Sequence, residues 1–517
     1  MTDLPEVIQA MMDPQAYPEP IREVEVVQTQ MSFVFMTKKY AYKVKKAVDL
    51  GYLDYTTLSK RQFYCNREVE LNRRLCPEVY LGVVPITRFR GKFYLEGKDR
   101  PVEYAVKMLR LPKFEMMDFL LEHDRVTPEM VSAVAEKIAT FHGTALTNDT
   151  ISAFGELENI RRNNDENFEQ TEKYIGSVIT RSKFQALRDF TTGLLDKHEA
   201  LFHRRVRDGR IRDCHGDLHA AHVCFADHIC IYDCIEFNDR FRYGDVAAEV
   251  AFLAMDLDHY GHADLSHRFV DAYVARTGDE ELKTLLGFYK CYRAYVRAKV
   301  SCFKSDDPYI GREEMMQSAE VARSYFDLAA SYARKKPLLL VTTGLVGTGK
   351  STLARALAQR LGMAVFSSDV IRKQLADVPA GEHRSEEFNR GIYSEAFSRR
   401  TYDKLFSGAA EVLREGGSVI LDASFIRSEE RRKAVQIARD LKADYYILQC
   451  VLDEDNIRER LEQRKKEVSA SDGRWELLAP QKALYDPVTE VPGKRHLIID
   501  TSVPLTEAVR QVMQRTG

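Results

Sequence analysis

Residues 344–351 read Gly-Leu-Val-Gly-Thr-Gly-Lys-Ser, directly after the apolar run Leu338-Leu339-Leu340-Val341. Glycines at this spacing let consecutive backbone N–H groups close around a phosphate. A helix expected from Lys350 onward turns its positive dipole end towards the same anion. Lys350 is placed to reach the β- and γ-phosphates, and the Ser351 hydroxyl to bind Mg²⁺. Gly344, Gly347, Thr348, Gly349, Lys350, Ser351 and Thr352 are therefore the expected contacts for a nucleoside triphosphate. A chance glycine-rich turn would lack the strand before it, the helix after it and the Lys-Ser pair.

Three further features of the C-terminal region suit phosphate chemistry. Asp369 follows an expected strand, and Arg372 lies one helical turn on. At the carboxyl edge of a parallel sheet, Asp369 can accept a hydroxyl proton and Arg372 can hold a substrate anion or the moving phosphoryl group. Helix capping by Asp369 is the plainer alternative, and both can hold. Val419-Ile420-Leu421-Asp422 is an apolar strand ending in a carboxylate that would reach the Mg²⁺ shell. Arg458, Arg460 and Arg464 share one helical stretch ahead of a polar run from Glu467 to Arg474, with Arg460 and Arg464 on one face. They suit a lid that closes arginines over phosphates; a solvated basic helix is the bland alternative.

The N-terminal region has its own chemical segment, Cys214-His215-Gly216-Asp217-Leu218-His219-Ala220-Ala221-His222, followed by Ile231-Tyr232-Asp233. Phosphoryl transfer needs one carboxylate to take the proton of the attacking hydroxyl and another to hold Mg²⁺. The Cys and His residues between 214 and 234 also raise a zinc site, although no Cys-x-x-Cys pair is present. A tight turn held by the Asp217 side chain is a structural alternative. Asp245 is a candidate to orient the catalytic loop by accepting backbone N–H bonds, or simply to cap the helix that follows.

The elements that must position these groups fall into two regions. The seam is expected at Ala333-Arg334-Lys335-Lys336-Pro337, where a long helical pattern ends in basic residues and proline. Residues 336–517 alternate strands and helices, with strands expected at Leu338–Thr343, Met363–Ser367, Ser418–Leu421, Tyr445–Val451 and His496–Ile499. That rhythm implies a parallel sheet covered on both faces. Residues 1–335 begin with a hairpin, Ser32–Thr37 and Tyr40–Lys45, then a helix over about 57–75. Strands follow at Leu81–Arg88, Lys92–Leu95 and Val102–Met108, and helices dominate from about Glu115. A β-rich small lobe, to about residue 112, thus precedes an α-rich large lobe.

Composition bounds the rest. The chain has 517 residues, 44% hydrophobic and 30% charged, with a net charge of −2, so no global basic field argues for nucleic acid. No apolar run reaches the length of a membrane span, and the acidic start lacks a signal-peptide core. The nine cysteines show no paired spacing and are expected as reduced thiols in a cytoplasmic protein.

His215-Gly216-Asp217-Leu218-His219 with Ile231-Tyr232-Asp233 resembles the motif pair of the aminoglycoside phosphotransferase and choline kinase family, which has the protein-kinase-like fold. The resemblance covers most of residues 25–330. It implies Asp217 as catalytic base and Asp233 as metal ligand. It also implies Lys43, in Ala41-Tyr42-Lys43, as the lysine for the α- and β-phosphates, with Lys45 a rival on the same strand face. Glu68 is the expected partner of that lysine, Glu70 the second choice, and Met108–Pro112 the hinge against adenine. His222 stands where the family usually has an Asn that binds a second Mg²⁺. Imidazole is a poorer ligand than an amide oxygen for Mg²⁺, so Mn²⁺, a single metal or an inactive lobe follow as alternatives. The P-loop, Asp369-x-x-Arg372 and the arginines resemble the small P-loop kinases, such as gluconate and shikimate kinase, the polynucleotide 5′-kinases and zeta-toxin-like enzymes. No sensor motif or arginine-finger box of motor or AAA+ ATPases is apparent. The tandem resembles a class of bacterial two-domain proteins.

The expectation is an α+β protein-kinase-like bilobal domain followed by an α/β P-loop domain with a parallel sheet. Each would use ATP and Mg²⁺ to phosphorylate a hydroxyl of a small acceptor, with no membrane partner. A regulatory first domain gating the P-loop domain, and a nucleic-acid 5′-hydroxyl kinase, are the alternatives.

Overall fold

The computed structural model describes residues 4–307, 310–378, 390–464 and 473–516. Contacts divide the chain into Met1–Leu257 with Leu265–Phe303, and Asp258–Asp264 with Lys304–Gly517. The division therefore precedes the expected seam at Ala333–Pro337, because the helix Arg312–Tyr332 belongs to the second unit. Arg360 of that unit donates to Asp327 at 2.5 Å and to Glu320 at 2.8 Å, and Leu328 packs at Gly362. The basic-proline signal marks the end of a helix, and that helix is already part of the second core.

The first unit opens with six antiparallel strands: β1 (Glu25–Gln28), β2 (Ser32–Met36), β3 (Tyr40–Lys45), β4 (Tyr80–Phe89), β5 (Lys92–Leu95) and β6 (Pro101–Leu109). Their order is β1-β2-β3-β6-β4-β5. Thr37 fixes the β2–β3 register: its hydroxyl oxygen accepts from Tyr40 N at 3.0 Å and its N–H donates to Tyr40 O at 2.8 Å. That register turns Lys43 and Lys45 to the same face. One face of the sheet buries Phe35, Tyr42 and Val44 against Ile8, Met11 and Tyr17. The other takes the helix Leu58–Asn72, capped by Thr57, which seats Cys65 and Val69 on the sheet and sinks Glu68 out of solvent.

The helical part follows as expected from residue 113, and it holds two small antiparallel strand pairs. β7 (Ile211–Asp213) pairs with β10 (Tyr243–Asp245), and β8 (Val223–Phe225) pairs with β9 (Ile229–Ile231). Asp217 lies on the loop after β7 and Asp233 just after β9. The buried helix Val246–His259 follows β10. Cys76 and Cys230 are bonded across a 4.9 Å Cα separation, which corrects the expectation of nine thiols. The partners lie 154 residues apart, so spacing could not pair them. The other seven cysteines are buried and free.

The second unit is a parallel sheet of β11 (Leu338–Thr343), β12 (Ala364–Ser367), β13 (Val419–Asp422), β14 (Asp444–Val451) and β15 (His496–Asp500), in the order β12-β13-β11-β14-β15. Leu339, Val341 and Leu421 pack against the helices Glu395–Arg414 and Ser428–Asp440 on one face. Leu338, Leu340 and Ile420 pack against Lys350–Leu361 and Leu505–Thr516 on the other. Burial on both faces is why the central strands β11 and β13 carry continuous apolar runs. The carboxyl ends of β11, β12 and β13 deliver Gly344, Asp369 and Asp422 to one edge. No helix among the described residues is long and apolar enough to cross a membrane.

Candidate active sites

A cleft of about 1220 Å³ in the first unit is lined by Lys43, Met108–Pro112, Asp217 and Asp233. Lys43 Nζ lies 2.6 Å from Asp233 Oδ1 and 2.9 Å from Glu68 Oε1. Lys45 is buried beside it, 2.7 Å from Glu68 Oε2 and paired with Glu236, whose Oε1 also accepts from the Tyr55 hydroxyl at 2.6 Å. The two lysines thus divide the roles left open by the sequence. Lys43 faces the cleft and the Asp233 carboxylate, while Lys45 is enclosed in an internal ion-pair network. Burial opposes both charges, but Asp233 and Glu68 around Lys43, and Glu236 and Glu68 around Lys45, hold both pKa values well above the usual lysine range. Glu70, the second choice, is exposed and pairs with Arg67 at 3.1 Å, away from either lysine.

Gly216 makes the loop that carries Asp217 possible. Its φ is 89°, and a Cβ there would sit 2.9 Å from the Phe241 carbonyl oxygen. The loop is held from below by Glu249, which accepts from His215 N at 3.1 Å, from Gly216 N at 2.6 Å and from His142 Nε2 at 2.8 Å. The loop-orienting role considered for Asp245 therefore falls to Glu249. Asp245 instead receives Arg205 at 2.6 Å and the Ala247 N–H at 2.8 Å, so its capping role stands.

Asp217 keeps its carboxylate at the cleft surface. Burial opposes its charge, but His219, His222 and Arg297 hold its pKa well below the usual carboxylate range. Asp233 sits in left-handed backbone at φ 62°; burial opposes its charge, and Lys43 and His222 likewise hold it low. His222 Nδ1 donates to the Asp217 carbonyl at 2.9 Å, which leaves Nε2 facing Asp233 Oδ2 at 3.6 Å. Burial and the adjacent His219 push this imidazole down to about 4, so it is neutral at pH 7. A lone pair aimed at a carboxylate oxygen across that gap fits a divalent cation between them. Asp217, His219 and His222 also gather three ligand atoms within 4.8 Å. Of the Cys and His residues that raised a zinc site, His219 and His222 fall in this grouping and Cys214 in another with His142 and Glu249; among the described residues no grouping contains two cysteines.

The second unit builds its site around the P-loop. Gly344 has φ 141°, and a Cβ on it would meet the Cys450 carbonyl oxygen at 2.5 Å. Lys350 Nζ donates to the Leu345 carbonyl at 2.7 Å, and the Thr348 hydroxyl donates to the same oxygen at 2.8 Å. Val346 N donates to Gln481 Oε1 at 2.8 Å. Asp422 is buried; burial raises its pKa against the Ser351 hydrogen bond and the Lys350 charge. Arg460 donates to the Thr501 carbonyl at 2.5 Å and to its hydroxyl at 3.2 Å. With Gly347, Gly349, Thr352 and Thr501 it lines a cavity of about 270 Å³ beside the loop.

Asp369 lies in the first turn of the helix Ser368–Leu375, and its charge acts on Asp422. Arg372 is buried: it donates to the Ile392 carbonyl at 2.5 Å and to Ser398 Oγ at 3.1 Å, under the Tyr393 ring. These contacts tie it to the helix Glu395–Arg414 and the turn before it. The side chain of Arg464 and most of the expected lid, residues 465–472, lie outside the described residues. Sequence reasoning missed Glu249, Glu236 and Gln481. Glu249 had a signal, a single acid inside Val246-Ala247-Ala248-Glu249-Val250-Ala251-Phe252, where an unpaired carboxylate would be costly. Glu236 and Gln481 had none.

A family model described as "Phosphotransferase enzyme family" matches residues 74–286, and one described as "AAA domain" matches residues 339–488. The uncharacterized proteins Rv2004c of Mycobacterium tuberculosis and Mb2027c of Mycobacterium bovis are each 30% identical over 492 residues, covering 94% of this chain and 94% of theirs. A shikimate kinase of Zymomonas mobilis is 34% identical over 103 residues, 19% of this chain and 52% of that protein. Among solved structures, a gluconokinase from Sinorhizobium meliloti covers 35% of this chain and 93% of its own, at 22% identity and a TM-score of 0.24. The Mycobacterium tuberculosis APS kinase CysC in complex with AMPPNP and APS covers 35% and 99%, at 19% identity and a TM-score of 0.26.

Proposed function

The chain belongs to the family of the mycobacterial protein Rv2004c, a kinase architecture with a phosphotransferase-family region and a P-loop region in one polypeptide, and on that premise we propose that it has two separate sites of ATP-dependent phosphoryl transfer to a hydroxyl. The observation that carries this reading is convergence. Lys43, Asp217 and Asp233, from three distant stretches, line one cleft, while Lys350, Ser351 and Asp422 meet at one sheet edge of the other unit.

In the first site Lys43 binds the α- and β-phosphates, Glu68 positions Lys43, and Asp217 takes the proton of the acceptor hydroxyl. In the second, Lys350 binds the β- and γ-phosphates, Arg460 flanks the nucleotide and Asp369 accepts the acceptor proton. Asp233 with His222, and Ser351 with Asp422, would hold the divalent cation that neutralises the phosphates. The imidazole in the first set favours Mn²⁺ over Mg²⁺ there. Catalysis at both sites is positioning and charge neutralisation. The setting is the cytoplasm, where ATP is available, and the acceptors are small molecules.

Two single variants test the reading. Asp217→Asn should remove one set of ATP-dependent phosphorylation products by about 10²–10⁴-fold, and Lys350→Ala the other set, each leaving the first-named activity of its counterpart intact. Loss of all turnover in either variant would falsify two independent sites. Nucleotide binding by the Lys350→Ala chain with no turnover of any hydroxyl compound would make the first unit a regulator. Label transferred to a 5′-hydroxyl oligonucleotide would move the acceptor class to nucleic acid.

A further inference from the structure

One wall of the first cleft presents amide groups whose own oxygens are already taken. The helix Leu157–Thr171 turns Ile160, Asn163, Asn167 and Gln170 to the cleft from a single face. Cations hold all three amide oxygens. Arg240 Nε donates to Asn163 Oδ1 at 2.7 Å, and Lys299 Nζ donates to Asn167 Oδ1 at 2.6 Å and to Gln170 Oε1 at 3.0 Å. Neither guanidinium nor ammonium accepts a hydrogen bond, so the cation fixes which end of each amide is oxygen. The NH₂ end is left pointing away from the cation, and what this wall offers a ligand is N–H donors.

Asn167 carries the argument. It is only 4% exposed, yet its Nδ2 has no hydrogen-bond partner among the described residues. Its neighbour Asn164, as deeply enclosed at 3%, shows the ordinary outcome: its Nδ2 donates to Thr191 Oγ1 at 3.1 Å. Asn163 and Gln170 are more exposed and can meet water. A buried amide left unpaired is costly, and one that lines a cleft is satisfied by a ligand oxygen. Lys299, which orients this amide, stands on the helix Glu281–Ser305 two residues after Arg297, whose charge acts on the Asp217 carboxylate. The amide wall and the reacting carboxylate thus meet neighbouring positions of one helix.

We propose that the acceptor of the first unit is a polyhydroxy compound, one hydroxyl meeting Asp217 while a second oxygen accepts from Asn167 Nδ2, with Lys299 as the positioning residue that holds the amide in that sense. The inference rests on the phosphotransferase reading of this cleft. The donor is a neutral NH₂ whose cation faces the other end of the amide, so an uncharged oxygen suffices. An ammonium in place of that oxygen would set N–H against N–H and leave both unpaired. In the step, the acceptor oxygen bonds to the γ-phosphorus and the bond to the β–γ bridging oxygen breaks. That electron pair leaves on ADP, and the hydroxyl proton goes to the Asp217 carboxylate.

The test uses the full Lys350→Ala chain, so that only the first site turns over. Glucose is compared with glucosamine, ethylene glycol with ethanolamine and glycerol with glycerate, by thermal shift with a non-hydrolysable ATP analogue and by ADP release. At least one polyhydroxy compound should bind and give kcat/KM at least about tenfold above its amino or carboxylate counterpart. Asn167→Leu should raise the KM for that compound by about tenfold or more with the KM for ATP unchanged, and Lys299→Met should raise it in the same direction. Stability separates binding from a purely structural role: an amide that is unpaired without acceptor can be removed with the first-unit urea midpoint staying within about 0.3 M of the parent or rising. A lower midpoint with an unchanged KM overturns the assignment of Asn167. Preference for the amino or carboxylate compounds, or binding by none of the six, overturns the inference and leaves the phosphotransferase reading to stand on turnover. Binding of a polyhydroxy compound without turnover supports the amide wall and overturns the phosphotransferase reading instead. The comparison among compounds needs no substitution in the first unit.

Discussion

Glu249→Gln probes the hidden support of the first site. The carboxylate receives two backbone N–H groups of the catalytic loop and the His142 ring, with no exposure to water. Burial opposes its charge, yet His142 and the His215 N–H bring its pKa from 4.5 down to about 2. That difference corresponds to about 3 kcal/mol of folding stability at pH 7. Glutamine keeps the volume but offers one acceptor oxygen and turns N–H groups towards N–H groups, so the loss should be of that order. The sign follows from the depressed pKa: the contribution is present above the unfolded value of about 4.3 and is lost as pH falls from about 5 to 2. Urea unfolding separates the units, because the only tryptophan, Trp475, is in the second. At an m-value of about 2 kcal/mol/M, the first-unit transition by circular dichroism should move down by about 1.5 M, and the Trp475 transition should not move. The gap between variant and parent should narrow below pH 5. First-site turnover should fall with KM for ATP little changed, since the loop carries Asp217. A first-unit midpoint within about 0.3 M of the parent would sink the argument that Glu249 supports the loop.

Other perturbations separate the roles of neighbouring groups. His222→Asn should raise Mg²⁺-supported turnover of the first site relative to Mn²⁺-supported turnover, read as the ratio of ADP release in the two metals. Lys45→Met should destabilise the first unit by about 3–5 kcal/mol, because Glu68 and Glu236 lose a buried partner, whereas Lys43→Met should chiefly impair nucleotide binding; urea unfolding and nucleotide titration tell the two apart. Mn²⁺ and a non-hydrolysable ATP analogue should each tighten the other's binding to the first site by the same factor, and calorimetry of the Lys350→Ala chain should find that coupling reduced in Lys43→Met.

The second unit was the more legible in sequence because its signals are local. The central strands β11 and β13 carry continuous apolar runs, and the P-loop, Asp369 and Asp422 lie at or just beyond strand ends, so a linear reading places them at one edge. Arg372 defeats the same logic. One turn beyond Asp369 reads as the ligand edge, but Ile392 and Ser398 claim its guanidinium, and that contact depends on a helix twenty residues on. In the first unit Asp217, Asp233 and Lys43 were proposed through the family motifs they resemble. Lys45 lies on the same strand face as Lys43, so telling their surroundings apart required the packing of Glu236 and Tyr55. The Glu249 contacts and the Cys76–Cys230 bond both join distant segments, which spacing does not encode.

On the proposed function, loading the first site with ATP would break the pairing of Lys43 with Asp233. Among Glu68, Asp233 and Glu236, two carboxylates share Lys45, so Asp233 relies on Lys43 for its compensating charge. Phosphates that take Lys43 leave Asp233 facing the Nε2 lone pair of His222, with no cation between them. A divalent cation held by those two groups removes that penalty and releases Lys43 to the phosphates. Neither ligand alone satisfies every charge, whereas together they exchange one ion pair for two. The proposed coupling between them would therefore be carried by a single lysine, and its reciprocity would follow from linkage rather than from a larger rearrangement. Lys45 stays locked throughout, which keeps Glu68 in place as Lys43 changes partners.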